Sequence, residues 1–189
     1  MGPLMIIGAV PLYNIYSVLV LTFEAEGQEK DTGKIKEACI NIIKNPIIIA
    51  IALGLVASFF QMDFPEIADK TIDNVAKMAT PLALIGLGAG FEGRKALAKI
   101  KPTIWASVVK LVIQPLVFLP VAVWMGFTGE QLIAILIMLA APATPSCYIM
   151  AKNMKNDGVL TASIVVMTTM LAAFTLTGWI YLLKVLTLI

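Results

Sequence analysis

The sequence predicts an all-α polytopic membrane protein with six transmembrane helices. Of its 189 residues, 59% are hydrophobic and 14% are charged, a balance far more apolar than that of a water-soluble domain. The apolar residues form runs that approach the roughly 20 residues needed to cross a bilayer. Because these runs are continuous and do not alternate with polar residues, they argue against a transmembrane β-barrel.

The first two predicted spans flank a charged loop. The first span runs from about Pro3 to Phe23 and gives a helical segment over 1–24. It lacks a basic leading region, so we interpret it as a spanning helix and not as a cleaved signal peptide. The loop covers 25–44, and the second span runs from about Pro46 to Met62, with the proline suited to the first helical turn.

The third predicted span begins with an amphipathic helix. In "DFPE" the carboxylate of Asp63 can cap a helix start, and the pattern "IADKTIDNVAK" follows it. The span itself covers about Asn74 to Phe91 and contains Pro81. Its glycines would let another helix approach closely: Gly86, Gly88 and Gly90.

The remaining spans follow a basic loop, "EGRKALAKIK". The fourth span covers about Pro102 to Phe127. Thr128 and Gln131 are spaced as a capping box at the start of the fifth. That fifth helix, over 129–152, contains "APATP". After the turn "KNMKNDG", the sixth span covers about Val159 to Leu183.

Two prolines interrupt the fifth span. Pro142 and Pro145 lack an N–H and clash with the carbonyl one turn earlier. The residues before them, Ala141 and Thr144, are pushed towards extended backbone. We therefore expect two half-helices, with the second beginning near Ser146.

The lysines and arginines predict the orientation. Ten lie in the loops after spans one, three and five, and three lie on the opposite side. Because cytoplasmic loops carry the excess of Lys and Arg, these odd-numbered loops should be cytoplasmic and both termini outside. The expected location is the cell membrane.

Several classes of function lack support. The chain has no histidine and no phosphate-binding GxxxxGK[ST] loop, and no acidic residue lies centrally in a predicted span. Cys39 and Cys147 lie in a polar loop and deep in a span, so neither a disulfide nor a zinc site is expected. No basic cluster is dense enough for nucleic acid. We predict no enzyme and no cofactor.

Lys110 is an unusual charge because it lies inside the fourth span. Gln114 lies four residues later on the same helix face, and Pro115 perturbs the backbone beside it. An intramembrane lysine commonly faces a polar interior, so Lys110 can line an anion pathway. The alternative is that its side chain snorkels to the cytoplasmic interface.

The interruption at "APATP" is the main candidate site. Exposed N–H groups and the positive dipole end of the second half-helix favour an anion, and Thr144 and Ser146 can cap the helix or donate to a ligand. The alternative is a proline kink satisfied by neighbouring helices. Cys147 and Tyr148 either line the site or pack against other helices.

Asn14 is the other polar point within a span. It either contacts substrate or forms a hydrogen bond with another helix. The threonines of "VVMTTMLAAFTLTGW" are expected to bond their own backbone and pack against neighbours.

Four stretches of the chain resemble the closing half of the auxin efflux carrier family, which includes bacterial malate and malonate permease-like proteins. They are "KNPIIIAIALGLVAS", "MATPLALIGLGAGF", "KLVIQPLVFLP" and "APATPSCYIMAKNMKNDGVLTASIVVMTTMLA". "YNIYSVLVLTFE" resembles the span before that half. The resemblance therefore covers nearly the whole chain.

The resemblance implies a ten-helix fold like that of bile-acid sodium symporters, built from two inverted five-helix repeats. Residues 45–189 match the second repeat, and 1–24 match the helix before it. Each repeat's fourth helix is broken, and an organic anion binds where the two breaks cross. The matching positions are the crossing prolines Pro142 and Pro145, their neighbours Ala143, Thr144 and Ser146, and Lys110 with Gln114 in the family's eighth helix.

The chain departs from this pattern because the first crossing helix is missing. We therefore expect an organic-anion transporter working by elevator-like alternating access, or the C-terminal part of one. The missing break would come from a homodimer or from a separate N-terminal half. The alternatives are a truncated, non-transporting remnant or a partner subunit of a split carrier, and a small channel.

Overall fold

The computed structural model describes residues 12–21, 40, 46–61, 64–154 and 156–189. These residues form helices and no strand, which confirms the all-α class. The helices are α1 (Leu12–Leu21), α2 (Pro46–Phe59), α3 (Glu66–Ala89), α4 (Gly93–Ala98), α5 (Ile100–Trp124), α6 (Glu130–Ala140), α7 (Pro145–Asn153) and α8 (Gly158–Val185).

Three helical segments of the described chain are long and apolar enough to cross a membrane. They are Ile100–Trp124, Glu130–Asn153 and Gly158–Val185. Shorter apolar helices cover Leu12–Leu21 and Ile48–Phe59, and α3 is long but carries its charges in its first half. The count of six spans therefore stays a prediction. Of the predicted cytoplasmic loop 25–44, only residue 40 lies within the described residues.

The basic loop "EGRKALAKIK" was predicted wrongly, since Gly93–Ala98 within it is helical. The carboxylate of Glu92 pairs with the Lys95 ammonium at 2.8 Å across the first turn, and Ala96 is buried. Alanine and leucine are strong helix formers. Together with the burial of Ala96 and the Glu92–Lys95 ion pair, they favour a short helix between α3 and α5.

The capping box at the start of the fifth predicted span is also wrong. The N-cap of α6 is Gly129, and no side chain caps the helix. Gly129 has φ 57° and ψ −130°, a conformation that glycine adopts readily and threonine does not. Its N–H donates to the carbonyl of Leu188 at 2.9 Å, so this long-range contact places the N-cap one residue after Thr128.

One buried cluster joins α5, α6 and the end of α8. Leu132, Leu136 and Ala140 lie on one face of α6 at four-residue spacing and are fully buried. They pack against Leu119 and Ala122 of α5 and against Leu183 of α8. In a bilayer the surrounding lipid is as apolar as leucine, so this cluster stabilises the fold through close packing.

A second buried cluster joins α3, α7 and the start of α8. Leu87, Tyr148, Ala162 and Val165 form it. Gly90, just beyond α3, lies so close to Tyr148 that a Cβ there would come within 2.4 Å of Tyr148 Oη. The predicted close approach of another helix is therefore found at Gly90, but not at Gly86 or Gly88, where a Cβ would meet no atom within 4 Å.

The middle of α5 forms a π-helical turn over Val109–Ile113. Pro115 has no N–H for the Leu111 carbonyl, and the N–H of Gln114 reaches back to Val109. The indole Nε1–H of Trp179 donates to the Leu111 carbonyl at 3.0 Å. Trp179 of α8 thus donates the hydrogen bond that Pro115 cannot give to the Leu111 carbonyl.

Large apolar side chains cover much of the outer surface. Trp124 is 87% exposed, and Phe59 and Phe174 are 84% and 78% exposed. In water, an exposed apolar surface of this extent would promote aggregation. Lipid is therefore the environment that fits it.

Candidate functional site

The fifth predicted span is interrupted between α6 and α7. α6 ends at Ala140 and α7 begins at Pro145. Ala141 has ψ 144° and Thr144 has φ −84° and ψ 151°, so both residues before the prolines have extended backbone. The chain therefore presents a short non-helical segment inside an otherwise apolar span.

The backbone N–H groups of this segment are held by two partners. The N–H of Ala141 still donates to the Ile137 carbonyl at 2.9 Å. The N–H of Ala143 donates to Thr168 Oγ1 at 3.1 Å, and Thr168 is fully buried. Because a buried N–H without an acceptor is costly in an apolar interior, Thr168 fixes the path of the segment.

Thr168 is the residue that the sequence analysis missed. Its hydroxyl donates to the carbonyl of Ile164 at 2.7 Å, as expected for a threonine in a membrane helix. The same oxygen also accepts from Ala143 of the interrupted segment. Nothing in the sequence separates Thr168 from the neighbouring threonines of α8, because the distinction lies in the packing of α8 against α7.

The N-terminus of α7 keeps donors available. Thr144 occupies the N-cap position, but its side chain makes no capping hydrogen bond. Its hydroxyl instead lies 3.6 Å from Cys147 Sγ. The N–H of Cys147 donates to the Thr144 carbonyl at 3.0 Å, while no hydrogen bond in the described residues uses the N–H of Ser146.

A cavity of about 610 Å³ adjoins this helix start. The N-cap residue Thr144 lines it together with Ser146 and Cys147 of α7, and Asn14 lines it from α1. The rest of the wall comes from four helices: α1 (Tyr13, Tyr16, Ser17, Val20 and Leu21), α2 (Ile51), α7 (Met150 and Ala151) and α8 (Thr161). The structure therefore brings three predicted site residues, Asn14, Thr144 and Ser146, to one cavity.

The cavity is lined by neutral groups. It offers hydroxyls, an amide and a thiol, set among aliphatic and aromatic side chains. None of the described lining residues is charged. Positive potential comes instead from the N-terminal end of α7, where aligned peptide dipoles favour an anion.

The turn between α7 and α8 holds α1 against the cavity. Asn156 Nδ2 donates to the carbonyl of Leu21 in α1 at 2.9 Å. Asp157 caps α8 by accepting from the Leu160 N–H at 3.0 Å, and it pairs with Lys99 beside α5. The turn thus connects three helices at one end of the site.

The environment of Asp157 fixes its charge. Partial burial by itself would raise the pKa of Asp157. The hydrogen bond from Lys99 and those from the backbone N–H groups of Leu160 and Val159 outweigh burial, so the pKa lies below its ordinary value. The carboxylate is therefore ionised at neutral pH and holds the cap and the ion pair together.

The other predicted site residues lie elsewhere. Pro142, Ala143 and Pro145 shape the interrupted segment but do not line the cavity, and Ala143 packs against the second buried cluster. Lys110 and Gln114 line a separate hollow of about 430 Å³ on α5, with apolar side chains around them. The structure does not bring Lys110 or Gln114 to the Asn14–Thr144–Ser146 cavity.

Cys147 and Tyr148 were each expected either to line the site or to pack against other helices, and the structure gives them different roles. Tyr148 is buried in the second cluster, which fits the packing role. Cys147 is exposed and lines the cavity. Within the described residues, no cluster of three or more His, Cys, Asp or Glu is placed to hold a metal ion.

Comparison with known families decides the assignment. The family model described as membrane transport protein matches residues 13–180. The chain belongs to this family. It is the auxin efflux carrier family that the four sequence stretches resemble, so that resemblance is confirmed. The match covers every residue that lines the cavity. Comparisons with curated proteins and with solved structures give no match.

Membership in the membrane transport family is consistent with a multi-pass membrane protein that is not an enzyme. The apolar helices α5 and α8 and the interrupted pair α6–α7 agree with this class. The transport-family chain thus places a neutral, hydroxyl-lined cavity at a helix start within a segment long and apolar enough to cross a membrane.

Proposed function

We propose that this transport-family chain moves a small organic anion, such as a carboxylate, across the cell membrane. The observation that carries the proposal is the shared cavity of Asn14, Thr144 and Ser146 at the start of α7. A helix start inside an apolar span has backbone N–H groups without a helical acceptor, and leaving them unpaired there costs free energy. An anion is a favourable acceptor for these N–H groups.

The binding chemistry follows from the donors at this cavity. A carboxylate would accept from the Ser146 N–H and from the hydroxyls of Thr144 and Ser146. The amide of Asn14, which is 7% exposed, would contact the ligand from α1. Hydrogen bonds to an ionised group each contribute about 1.5–3 kcal/mol, so a few of them can hold an anion without a lysine or arginine.

The proposed transport step is elevator-like alternating access. The α6–α7 interruption would cross a matching interruption supplied by a second copy or by an N-terminal half. Support comes from the available Ser146 donor and from the rigid anchoring of the segment through Thr168. In the proposed orientation both termini face outside, and Lys110 with Gln114 would act at a second polar position on α5.

Counterflow in proteoliposomes tests this function. Labelled malate and an aromatic monocarboxylate would be offered to vesicles containing the chain alone and to vesicles that also contain a family N-terminal half. We expect Thr144→Val with Ser146→Ala to weaken apparent affinity roughly tenfold or more, because two donors to an ionised group are lost.

Thr177→Val is the matched control, because its hydroxyl bonds only the Ala173 carbonyl of its own helix and lies away from the cavity. Equal loss in both variants would refute the proposed site. Full uptake by Pro142→Ala with Pro145→Ala would refute the role of the interruption. Absence of uptake in every assembly is what a non-transporting remnant or partner subunit predicts.

A further inference from the structure

A second groove lies between α3 and α7, separate from the proposed transport cavity. It has a volume of about 510 Å³. Small and aliphatic side chains from one face of α3 form its wall, at the spacing of successive helical turns: Ala79, Leu82, Ala83 and Gly86. Ile149 of α7 faces the same groove. Most of this wall offers only van der Waals contact to an occupant.

One end of the groove is polar. Lys152 and Asn153, the last two residues of α7, line it together with Tyr148. Lys152 Nζ donates to Tyr148 Oη at 3.3 Å and lies 5.5 Å from the centre of the tyrosine ring. An ammonium has three N–H donors, so two remain for another partner.

Among the described residues Lys152 has no carboxylate partner, as is also true of Lys101, Lys110 and Lys184, and it is the lysine of this group that lines the groove. Four others each pair with an Asp or Glu: Lys70, Lys77, Lys95 and Lys99. The Lys152 side chain is exposed and rests on a neutral hydroxyl. An uncompensated cation beside an amide, at the end of an apolar groove, matches a ligand with an anionic head and an apolar tail.

We propose that this groove binds an anionic phospholipid. The phosphate would accept from Lys152 and from the Asn153 amide, and one acyl chain would lie along Ala79, Ala83 and Gly86. Leu82 and Ile85 on the same helix are 57% and 67% exposed, as expected for a helix in contact with lipid. In the orientation proposed above, the Lys152 end faces the cytoplasmic leaflet, where anionic lipids attract basic residues.

Native mass spectrometry of the full chain in a neutral detergent tests the lipid site. Phosphatidylglycerol and phosphatidylcholine with identical acyl chains are the two probes. We expect phosphatidylglycerol to bind more tightly, and Lys152→Gln to weaken its binding roughly fivefold through the lost charge at the membrane surface. Lys184→Gln, an exposed lysine in the last turn of α8, is the matched control and should leave binding unchanged.

A groove-filling variant tests the acyl-chain position. A Cβ at Gly86 meets no atom within 4 Å, so Gly86→Ala should fold normally, and the longer side chain of Gly86→Leu should occupy the groove and lower binding of both lipids. Circular dichroism of both variants checks that the helices are retained. Equal binding of the two lipids, or equal effects of Lys152→Gln and Lys184→Gln, would overturn the proposal. Full competition by glycerol 3-phosphate would also overturn it, because the site would then recognise a small anion without the acyl chain.

Discussion

Replacing Thr168 by valine should loosen the interrupted segment between α6 and α7. Valine keeps the volume of threonine but removes the oxygen that accepts from the Ala143 N–H at 3.1 Å. Thr168 is 0% exposed, so water cannot replace this acceptor. A buried N–H left without a partner costs about 1–3 kcal/mol, and hydrogen bonds measured within membranes lie near the lower end. We therefore expect a loss of about 1 to 2 kcal/mol.

The assay is reversible unfolding of the purified chain in mixed micelles, followed by circular dichroism. Thr177→Val is the control, because it also loses a hydroxyl that bonds its own helix, to the Ala173 carbonyl at 2.7 Å. The difference between the two variants isolates the bond to Ala143. Thr168→Ser should restore most of the stability. If Thr168→Val unfolds at the same denaturant fraction as Thr177→Val, the argument that Thr168 holds the segment is refuted.

Two further predictions concern the ends of α3 and α8. Gly90→Ala should destabilise the chain by about 1–3 kcal/mol, because its Cβ would lie 2.4 Å from Tyr148 Oη. In thermal melts, the double variant Gly90→Ala with Tyr148→Phe should recover stability, because the clashing hydroxyl is removed. Gly88→Ala is the control and should keep the stability of the parent, because its Cβ meets no atom within 4 Å. Because the pKa of Asp157 lies below its ordinary value of 3.8, its contribution should be complete at higher pH and disappear as the pH falls through the folded-state pKa. Melting curves of Asp157→Asn and the parent should therefore differ at neutral pH and converge in acid; a constant difference would contradict the role of the Lys99 pair.

The sequence predicts those parts of the fold that depend on local covalent chemistry, such as the interruption before Pro145. Pro142 and Pro145 cannot donate a hydrogen bond, so the positions of the extended residues Ala141 and Thr144 follow from the sequence alone. These constraints act within a few residues of the feature they predict.

Long-range contacts account for what the sequence did not reveal. Thr128 and Gln131 have the spacing of a capping box, yet a hydrogen bond from the Gly129 N–H to the carbonyl of the distant residue Leu188 sets the helix start. Lys110 and Gln114 share a helix face, but the packing of α5 directs them to a hollow away from the α7 cavity. Periodicity fixes the face of a helix and leaves open which neighbour that face meets.

α8 supplies a hydrogen-bond partner to two irregular segments, the π-helical turn of α5 and the interruption between α6 and α7. Pro115 leaves the Leu111 carbonyl without its usual donor, and the α8 side chain Trp179 donates to it. The interruption before Pro145 leaves the Ala143 N–H without an acceptor, and the α8 side chain Thr168 accepts from it. One regular helix thus supplies a donor to one proline-induced defect and an acceptor to the other. Because each partner can be supplied only from a fixed position on α8, the two defects are held in a defined relation to each other. A site built on the α7 helix start needs this fixed geometry, since an interruption whose backbone groups changed partners would not present the same donors to an anion.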